Sequence, residues 1–339
     1  MCGIGGLKRF GTDPIRRDHL ESLLLSLQSR GNDASGLAVA NPIGHEKEGI
    51  HVFKTDDPAW EMISSSEYEK FLSEFFVPET VTVILHTRAA TKGNPRDNDN
   101  NHPMFDGKTA VIHNGVIYND DALFKELNLT RCAETDSDIL RAILDKEDLT
   151  QTGIRRLSRV TGSAAIAAVT PKNPNLLLLA RSGSPIVCAE VGDFLVFASE
   201  KSAIHGAMRP WVEKWGLEFQ KASPNGIGWL TMPDNTAWLF DETGLSWHDE
   251  FKTCHSFTEP RRQVYAAFAD RQAKWDTEKR QKLVTTPDGN RGGGPIRIKC
   301  RRDGCKRLNV LGKDQYNLDV MLLDCGHCKK PLVEKRAGA

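Results

Sequence analysis

The chain has 339 residues, 39% hydrophobic and 27% charged, with 45 Lys and Arg against 45 Asp and Glu. This is ordinary globular composition, and no apolar run approaches the roughly 20 residues of a membrane helix, so a soluble protein is expected. The zero net charge hides a split: residues 261–339 hold 19 Lys and Arg against 9 Asp and Glu, a tail of +10 on a body of −10. Such a tail fits nucleic acid or another anionic partner, and fits equally a solvated surface that aids solubility.

In chain order, the start Met1-Cys2-Gly3-Ile4-Gly5-Gly6 has no apolar stretch behind a basic flank, so it does not read as a secretory signal, and a cytoplasmic location is expected. Asp18 with Glu21 reads as a capped helix start, and Leu20, Leu23, Leu24 and Leu27 at helical spacing predict a helix over 18–29. Strands are predicted at 36–40, 81–86, 109–113, 164–169, 176–180, 186–189 and 194–198. Many are apolar on both faces, which implies sheets covered on both sides and a layered α+β architecture. Residues 259–284 have the period of a charged helix, and 285–295, with Pro287, Gly289 and Gly292-Gly293-Gly294, read as a flexible linker.

Four short motifs carry chemistry. Removal of Met1 would leave Cys2 with a free α-amine, so that one residue holds both a nucleophilic thiol and, with a reference pKa of about 7.7–8.0, a proton shuttle. The glycines that follow permit close backbone approach of a substrate; alone, Cys2 also fits a buried structural cysteine. Arg88, at the end of His86-Thr87-Arg88, offers a planar fork for a carboxylate, or is a surface arginine at a strand end. Asn114-Gly115 fits a type I′ hairpin turn or an oxyanion hole built from a side-chain amide and a backbone N–H. Asp136, in Glu134-Thr135-Asp136-Ser137-Asp138, fits an acidic helix start or a carboxylate for a substrate ammonium.

The motifs in this order resemble the class II, or N-terminal nucleophile, glutamine amidotransferase domain, and within it the glutaminase domain of the isomerising glutamine:fructose-6-phosphate amidotransferases. The resemblance rests on Cys2-Gly3-Ile4-Gly5-Gly6, residues 30–39, His86-Thr87-Arg88, Asn101-His102-Pro103, His113-Asn114-Gly115 and Glu134-Thr135-Asp136. It extends through Arg181-Ser182-Gly183-Ser184-Pro185 and Ser199-Glu200, covering about the first 245 residues. It implies a four-layer αββα fold with Cys2 as nucleophile, Asn114 and Gly115 as oxyanion hole, Arg88 on the glutamine carboxylate and Asp136 on its α-amine. Thr91 would lie in the loop that closes over the substrate, and Arg30 would support the nucleophile. Ala89 and Lys92 stand where close relatives carry Trp and His, departures that bear on lid closure and ammonia gating.

Half of the eight cysteines crowd the C-terminal end, where Cys300 and Cys305 are followed by Cys325 and Cys328. Two close pairs suit one structural Zn2+ in a ribbon-like module, and free cysteines in a small metal-free module are the alternative. The expected organisation is therefore a glutaminase domain over 1–250, a charged helix and linker over 251–295 and the zinc-ribbon-like module over 296–335. No cofactor is expected for glutamine hydrolysis itself. Residues after 250 show no sugar-isomerase domain and no nucleotide loop, so the ammonia acceptor is expected on a separate synthetase protein. Two rival readings keep the fold: an inert domain serving a nucleic-acid-binding zinc module, and a hydrolase of another γ-glutamyl amide.

Overall fold

Two antiparallel sheets, each apolar on both faces, organise the N-terminal part of the protein. The computed structural model describes residues 1–215 and 229–253, and the backbone of two short strands at 296–299 and 308–311. The chain divides into two units, Met1–Ser256 and Phe257–Ala339. The first half of the N-terminal unit runs β1 (Gly3–Arg9), α1 (Arg17–Leu27), β2 (Ala34–Asn41), β3 (Gly49–Thr55), α2 (Ala59–Met62), α3 (Ser66–Phe75) and β4 (Thr82–Arg88). Then come β5 (Ala110–Ile117), α4 (Asp120–Glu126), α5 (Asp138–Glu147), α6 (Gln151–Leu157), β6 (Gly162–Thr170) and β7 (Asn173–Ser182). The unit closes with β8 (Val187–Val191), β9 (Phe194–Ala198), α7 (Lys201–Trp215), β10 (Trp229–Thr231), β11 (Thr236–Asp241) and β12 (Gly244–Glu250).

A seven-stranded sheet has the order β10-β8-β9-β1-β4-β2-β3, and a five-stranded sheet the order β12-β11-β7-β6-β5. Side-chain alternation along the strands separates three apolar layers. Leu7, Leu37, Val39, Val83 and Leu85 pack on α1, α3 and α7, and the opposite faces of the same strands, with Ile4, Ala38, Ala40 and Ile84, turn inward. There they meet Ala110, Ile112, Ala165, Ala167, Leu177 and Leu179 of the five-stranded sheet. That sheet's outer face, with Val111, Ile166, Ala168 and Leu178, packs on α4, α5 and α6. Helix, sheet, sheet and helix are thus stacked in four layers, the α+β arrangement expected from strands buried on both sides. Alanines on the facing surfaces let the sheets approach closely.

All seven predicted strands are present: the one at 194–198 has the predicted bounds, and the others differ by one to four residues at their ends. The predicted helix over 18–29 is α1, with a 3-10 turn at Gln28–Arg30 after it, and Leu20, Leu23, Leu24 and Leu27 are its buried face. Its start differs from the expectation: the N-cap is Arg16, whose backbone N–H donates to the His19 ring, and Asp18 lies in the first turn. His19 is buried, so its ring reaches back to the Arg16 N–H at 3.3 Å, and Asp18 pairs with the Arg16 guanidinium at 2.9 Å. The glycines of β1 also have another use than substrate approach. A Cβ on Gly3 would lie 2.8 Å from the Leu27 carbonyl oxygen, one on Gly5 2.8 Å from Leu27 Cδ1, and one on Gly6 2.3 Å from the Val83 oxygen. They let α1 and the neighbouring strand sit tightly on β1.

In the second unit, β13 (Ile296–Lys299) and β14 (Leu308–Leu311) pair antiparallel, with Lys299 opposite Leu308. The predicted helix over 259–284, the linker over 285–295 and the zinc candidates Cys300, Cys305, Cys325 and Cys328 lie outside the described residues. Among the described residues, no helix is long and apolar enough to cross a membrane.

β1 also carries an internal charge. Lys8 is on the inward face, fully buried, its Nζ without a hydrogen-bond partner and 5.8 Å from the Phe10 ring centroid. Burial lowers its pKa from 10.5 to about 8. A base whose folded pKa is depressed costs stability fully below the folded value, and the cost disappears as pH rises through the unfolded one. The interval from about 8 to 10.5 corresponds to about 3 kcal/mol. Lys8→Met should therefore raise the unfolding temperature at pH 7, and its advantage should vanish by about pH 10.5; an equal or lower unfolding temperature at pH 7 would show the ammonium to be compensated.

Candidate active site

Cys2 immediately precedes β1, and the pairing of Gly3 with Thr87 brings it beside Arg88 at the end of β4. By alternation, Cys2 and Ile4 on β1 share the inward face with Ile84, His86 and Arg88 on β4. On the opposing sheet, Ala110 and Ile112 face the same interior, and Asn114 continues that face. Three of the predicted residues, from chain segments more than eighty residues apart at the extremes, thus converge on one end of the gap between the sheets.

The nucleophile candidate is held by backbone contacts. Cys2 Sγ lies 3.4 Å from the Ala89 N–H that donates to it, and Arg30 Nε donates to the Cys2 carbonyl at 2.8 Å. Arg30 is itself anchored by an ion pair with Glu200. Burial pushes the Cys2 thiol pKa up; the Ala89 N–H and the Arg88 charge work against that rise, and the Asp136 carboxylate adds to it. Near neutrality the group is a thiol, and its use as a nucleophile requires a base.

Arg88 is buried, which removes the reading of a surface strand-end arginine. Its Nη1 donates to Asn101 Oδ1 at 2.7 Å and its Nη2 to the carbonyls of Lys92 and Gly93 at 2.6 and 3.0 Å. Burial lowers its pKa, opposed by the charges of Cys2, Asp33 and Asp136, which places Asp136 within electrostatic reach of both residues. The loop after Arg88 is further held by the Ala90 N–H to Asp33 at 3.0 Å and by Lys92 to Asp120 at 2.6 Å. Thr91 is exposed on that loop.

Asn114-Gly115 is not a turn: both residues are inside β5, opposite Ala165 and Ala164. β5 is an edge strand, and its odd-numbered residues direct backbone groups to the free edge. Val111 uses that edge to pair with Met104, and the Ile117 N–H donates to Asp136 Oδ2 at 2.6 Å. The Gly115 N–H falls between them on the same edge. Gly115 has φ +153°, and a Cβ there would sit 2.0 Å from the Ser163 oxygen, so only glycine fits. Asp136 likewise is not the helix cap. Ser137 is the N-cap of α5, and the Asp136 carboxylate is turned to β5, where its Oδ1 also accepts the Thr135 hydroxyl at 3.3 Å.

Beneath these residues lie three buried histidines. His86 Nε2 is 3.2 Å from the His113 carbonyl oxygen, tying β4 to β5, and His86 stacks on His102 with ring centroids 4.1 Å apart. His113 Nδ1 is 2.8 Å from Ser137 Oγ. Burial lowers all three pKa values, that of His86 to about 3, so the platform is neutral at physiological pH. A cavity of about 210 Å³ lies elsewhere, lined in part by Lys54, Asp106, Cys132, Asp138 and Arg141. Arg141 there is committed to Asp106, Asp138 and Asp145.

The motifs singled out Cys2, Arg88, Asn114, Gly115 and Asp136, and gave no role to the carboxylates of Asp33, Asp120 and Glu200, which meet Ala90, Lys92 and Arg30 from far away in sequence. A single acidic residue in a polar stretch carries no local signal of its distant partner.

Comparison with known proteins is consistent with this geometry. Residues 86–206 match the glutamine amidotransferase domain. The isomerizing glutamine–fructose-6-phosphate aminotransferase of Agrobacterium fabrum is 32% identical over 194 residues, 55% of this chain and 29% of that protein. The protein of the same name from Leifsonia xyli is 35% identical over 197 residues, 55% of this chain and 30% of its own length. The chain thus matches less than a third of the length of these curated relatives. Among solved structures, the glutamine phosphoribosylpyrophosphate amidotransferase of B. subtilis, in complex with ADP and GMP, superposes with TM-score 0.56 at 19% identity, covering 75% of this chain and 50% of that one. The fold is shared.

The thiol can be tested directly. If a chain made to retain Met1 is alkylated with iodoacetamide across pH, the rate at Cys2 should inflect above the ordinary thiol value of 9.0, because burial disfavours the thiolate. An inflection below that value would mean that the Ala89 N–H and Arg88 outweigh burial.

Proposed function

We propose that this chain, which carries a class II glutamine amidotransferase domain, hydrolyses glutamine through Cys2 after loss of Met1 and passes the ammonia to an acceptor. The observation that carries the reading is the meeting, at one end of the gap between the sheets, of a thiol held protonated by burial, a buried guanidinium and a glycine N–H on a free strand edge.

Arg88 receives the α-carboxylate of glutamine and Asp136 its ammonium, leaving the side-chain amide to reach Cys2. Thr91 borders the bound substrate from the loop, and Arg30 holds the Cys2 backbone while the thiol reacts. The Cys2 α-amine takes the thiol proton, and the thiolate attacks the amide carbon. Asn114 and the Gly115 N–H stabilise the resulting oxyanion. The protonated amine gives its proton to the departing nitrogen, which leaves as ammonia with formation of a thioester. Water, deprotonated by the same amine, then cleaves the thioester to glutamate and restores the thiol. Glutamine fits better than a simple amide because two opposite charges, Arg88 and Asp136, bracket a zwitterion.

We place the acceptor on a partner protein and assign the basic second unit to docking. Its zinc reading stands on cysteine chemistry: Cys300 and Cys305 fall in the connection between β13 and β14, as the first ligand pair of a ribbon does, with Cys325 and Cys328 as the second. Zn2+ would hold that unit together and takes no part in hydrolysis.

Processed enzyme should release glutamate and ammonia from glutamine, whereas Cys2→Ala, or protein retaining Met1, should be inactive; full activity with Met1 in place by intact mass would overturn the mechanism. Arg88→Lys should chiefly raise KM, and Asn114→Ala should lower kcat by about 10²- to 10³-fold, because only the second contact strengthens in the transition state. Removal of residues 286–339 should spare glutamine hydrolysis and abolish partner docking, and metal analysis of the full chain should return one zinc per chain.

A further inference from the structure

The loop from Ala89 to Asn101 is fastened to the site mainly through backbone groups: the Ala90 N–H on Asp33, and the Lys92 and Gly93 carbonyls on Arg88. Side chains fasten it as well, among them Asn98 on the Lys54 carbonyl, Asn100 on Glu134 and an ion pair made by Lys92. Lys92 Nζ reaches Asp120 Oδ2 at 2.6 Å, a side-chain ion pair from the loop to α4. The Asp120 side chain is only 4% exposed, so the pair is poorly screened. The same carboxylate oxygen takes Arg131 at 2.8 Å, and Arg131 is in turn held by Asp121 at 2.6 Å and lies 4.3 Å from the Phe124 ring centroid. Asp120 is therefore a fixed anchor whether or not Lys92 is present.

We propose that Lys92 is a positioning residue for substrate recognition: by pairing with Asp120 it holds its own carbonyl and that of Gly93 against Arg88, and so sets the orientation of the guanidinium that receives the substrate carboxylate. The proposal rests on the glutamine reading of the site. The chain of contacts is short. The residue whose side chain grips Asp120 is the residue whose carbonyl grips Arg88 Nη2 at 2.6 Å, so displacement of the lysine moves the acceptor with it. Arg88 Nη1 keeps its bond to Asn101 Oδ1, which leaves the guanidinium a pivot when Nη2 is released. Rotation about that pivot degrades carboxylate binding and leaves the β5 edge in place. The effect belongs in KM.

The test is Lys92→Met, which keeps an unbranched stem and removes the charge, with Lys92→Arg as the conservative control that can still reach Asp120. Asp120 retains Arg131 in both, so no buried carboxylate is orphaned and the fold is expected to survive. In full-length processed protein, Lys92→Met should raise KM for glutamine about five- to tenfold with kcat within about twofold, and Lys92→Arg should restore most of the loss. Hydrogen exchange supplies a readout independent of turnover: backbone amides of residues 89–101 should exchange faster in Lys92→Met than in wild type or Lys92→Arg, with rates elsewhere in the N-terminal unit unchanged. Unchanged exchange in the loop, a fall in kcat at constant KM, or faster exchange throughout the unit would overturn the proposal. If wild type turns over no glutamine, the functional reading fails, and the exchange data alone then decide whether Lys92 anchors the loop.

Discussion

The pairing of β1 with β4 at the centre of the seven-stranded sheet is the interaction on which the site depends. It sets Gly3 opposite Thr87, and so brings Cys2 to Arg88 and to the Ala89 N–H. That register is held on both faces. Outward, the Thr87 hydroxyl donates to the Leu27 carbonyl of α1 at 2.8 Å, in space that exists because residue 3 has no side chain. Inward, Ile4 packs between the sheets, and its N–H donates to Ser199 Oγ at 3.0 Å. A slip of one residue would turn Cys2 away from the gap and Leu7 into it, exchanging every buried contact of the strand. Burial of the strand on two faces is thus what holds the position of the residue at its end.

The same burial determines the chemistry. A thiol taken out of water is harder to ionise, an imidazole taken out of water is harder to protonate, and both effects act around Cys2. The three histidines beneath the site are unsuited to act as the base, because they resist protonation at neutral pH. They serve as neutral spacers between β4, β5 and the segment at His102. In the proposed reaction the proton transfer therefore falls to the α-amine of Cys2, whose reference pKa of about 7.7–8.0 is close to neutrality. Around the site, ion pairs join Arg30 to Glu200 and Arg131 to Asp120 and Asp121.

The two units differ in charge and in the residues they carry. The acidic N-terminal unit carries its candidate site at one end of the gap between two sheets, where strand register fixes the backbone donors. The basic unit from Phe257 onward has a short two-stranded ladder and a cysteine pattern suited to metal. The two units of one chain thus carry opposite net charge.

The amino-acid sequence by itself determined the layered α+β class, because strands apolar on both faces have to be covered on both sides, and it determined α1, whose leucine spacing is the buried face observed. It also singled out Cys2, Arg88, Asn114, Gly115 and Asp136, since each side chain or backbone type is chemically distinctive where it stands. It left the hairpin turn open at Asn114-Gly115, because an Asn-Gly pair is the local signature of such a turn; pairing with Ala165 and Ala164 excluded the turn. The cap of α1 passed from Asp18 to Arg16 for a comparable reason, the burial of His19, which depends on packing against residues far along the chain. Asp33, Asp120 and Glu200 became part of the site only in three dimensions. An acidic side chain in a polar stretch is defined by the cation or N–H it meets, and that meeting is set by sheet register and helix docking over separations of dozens of residues.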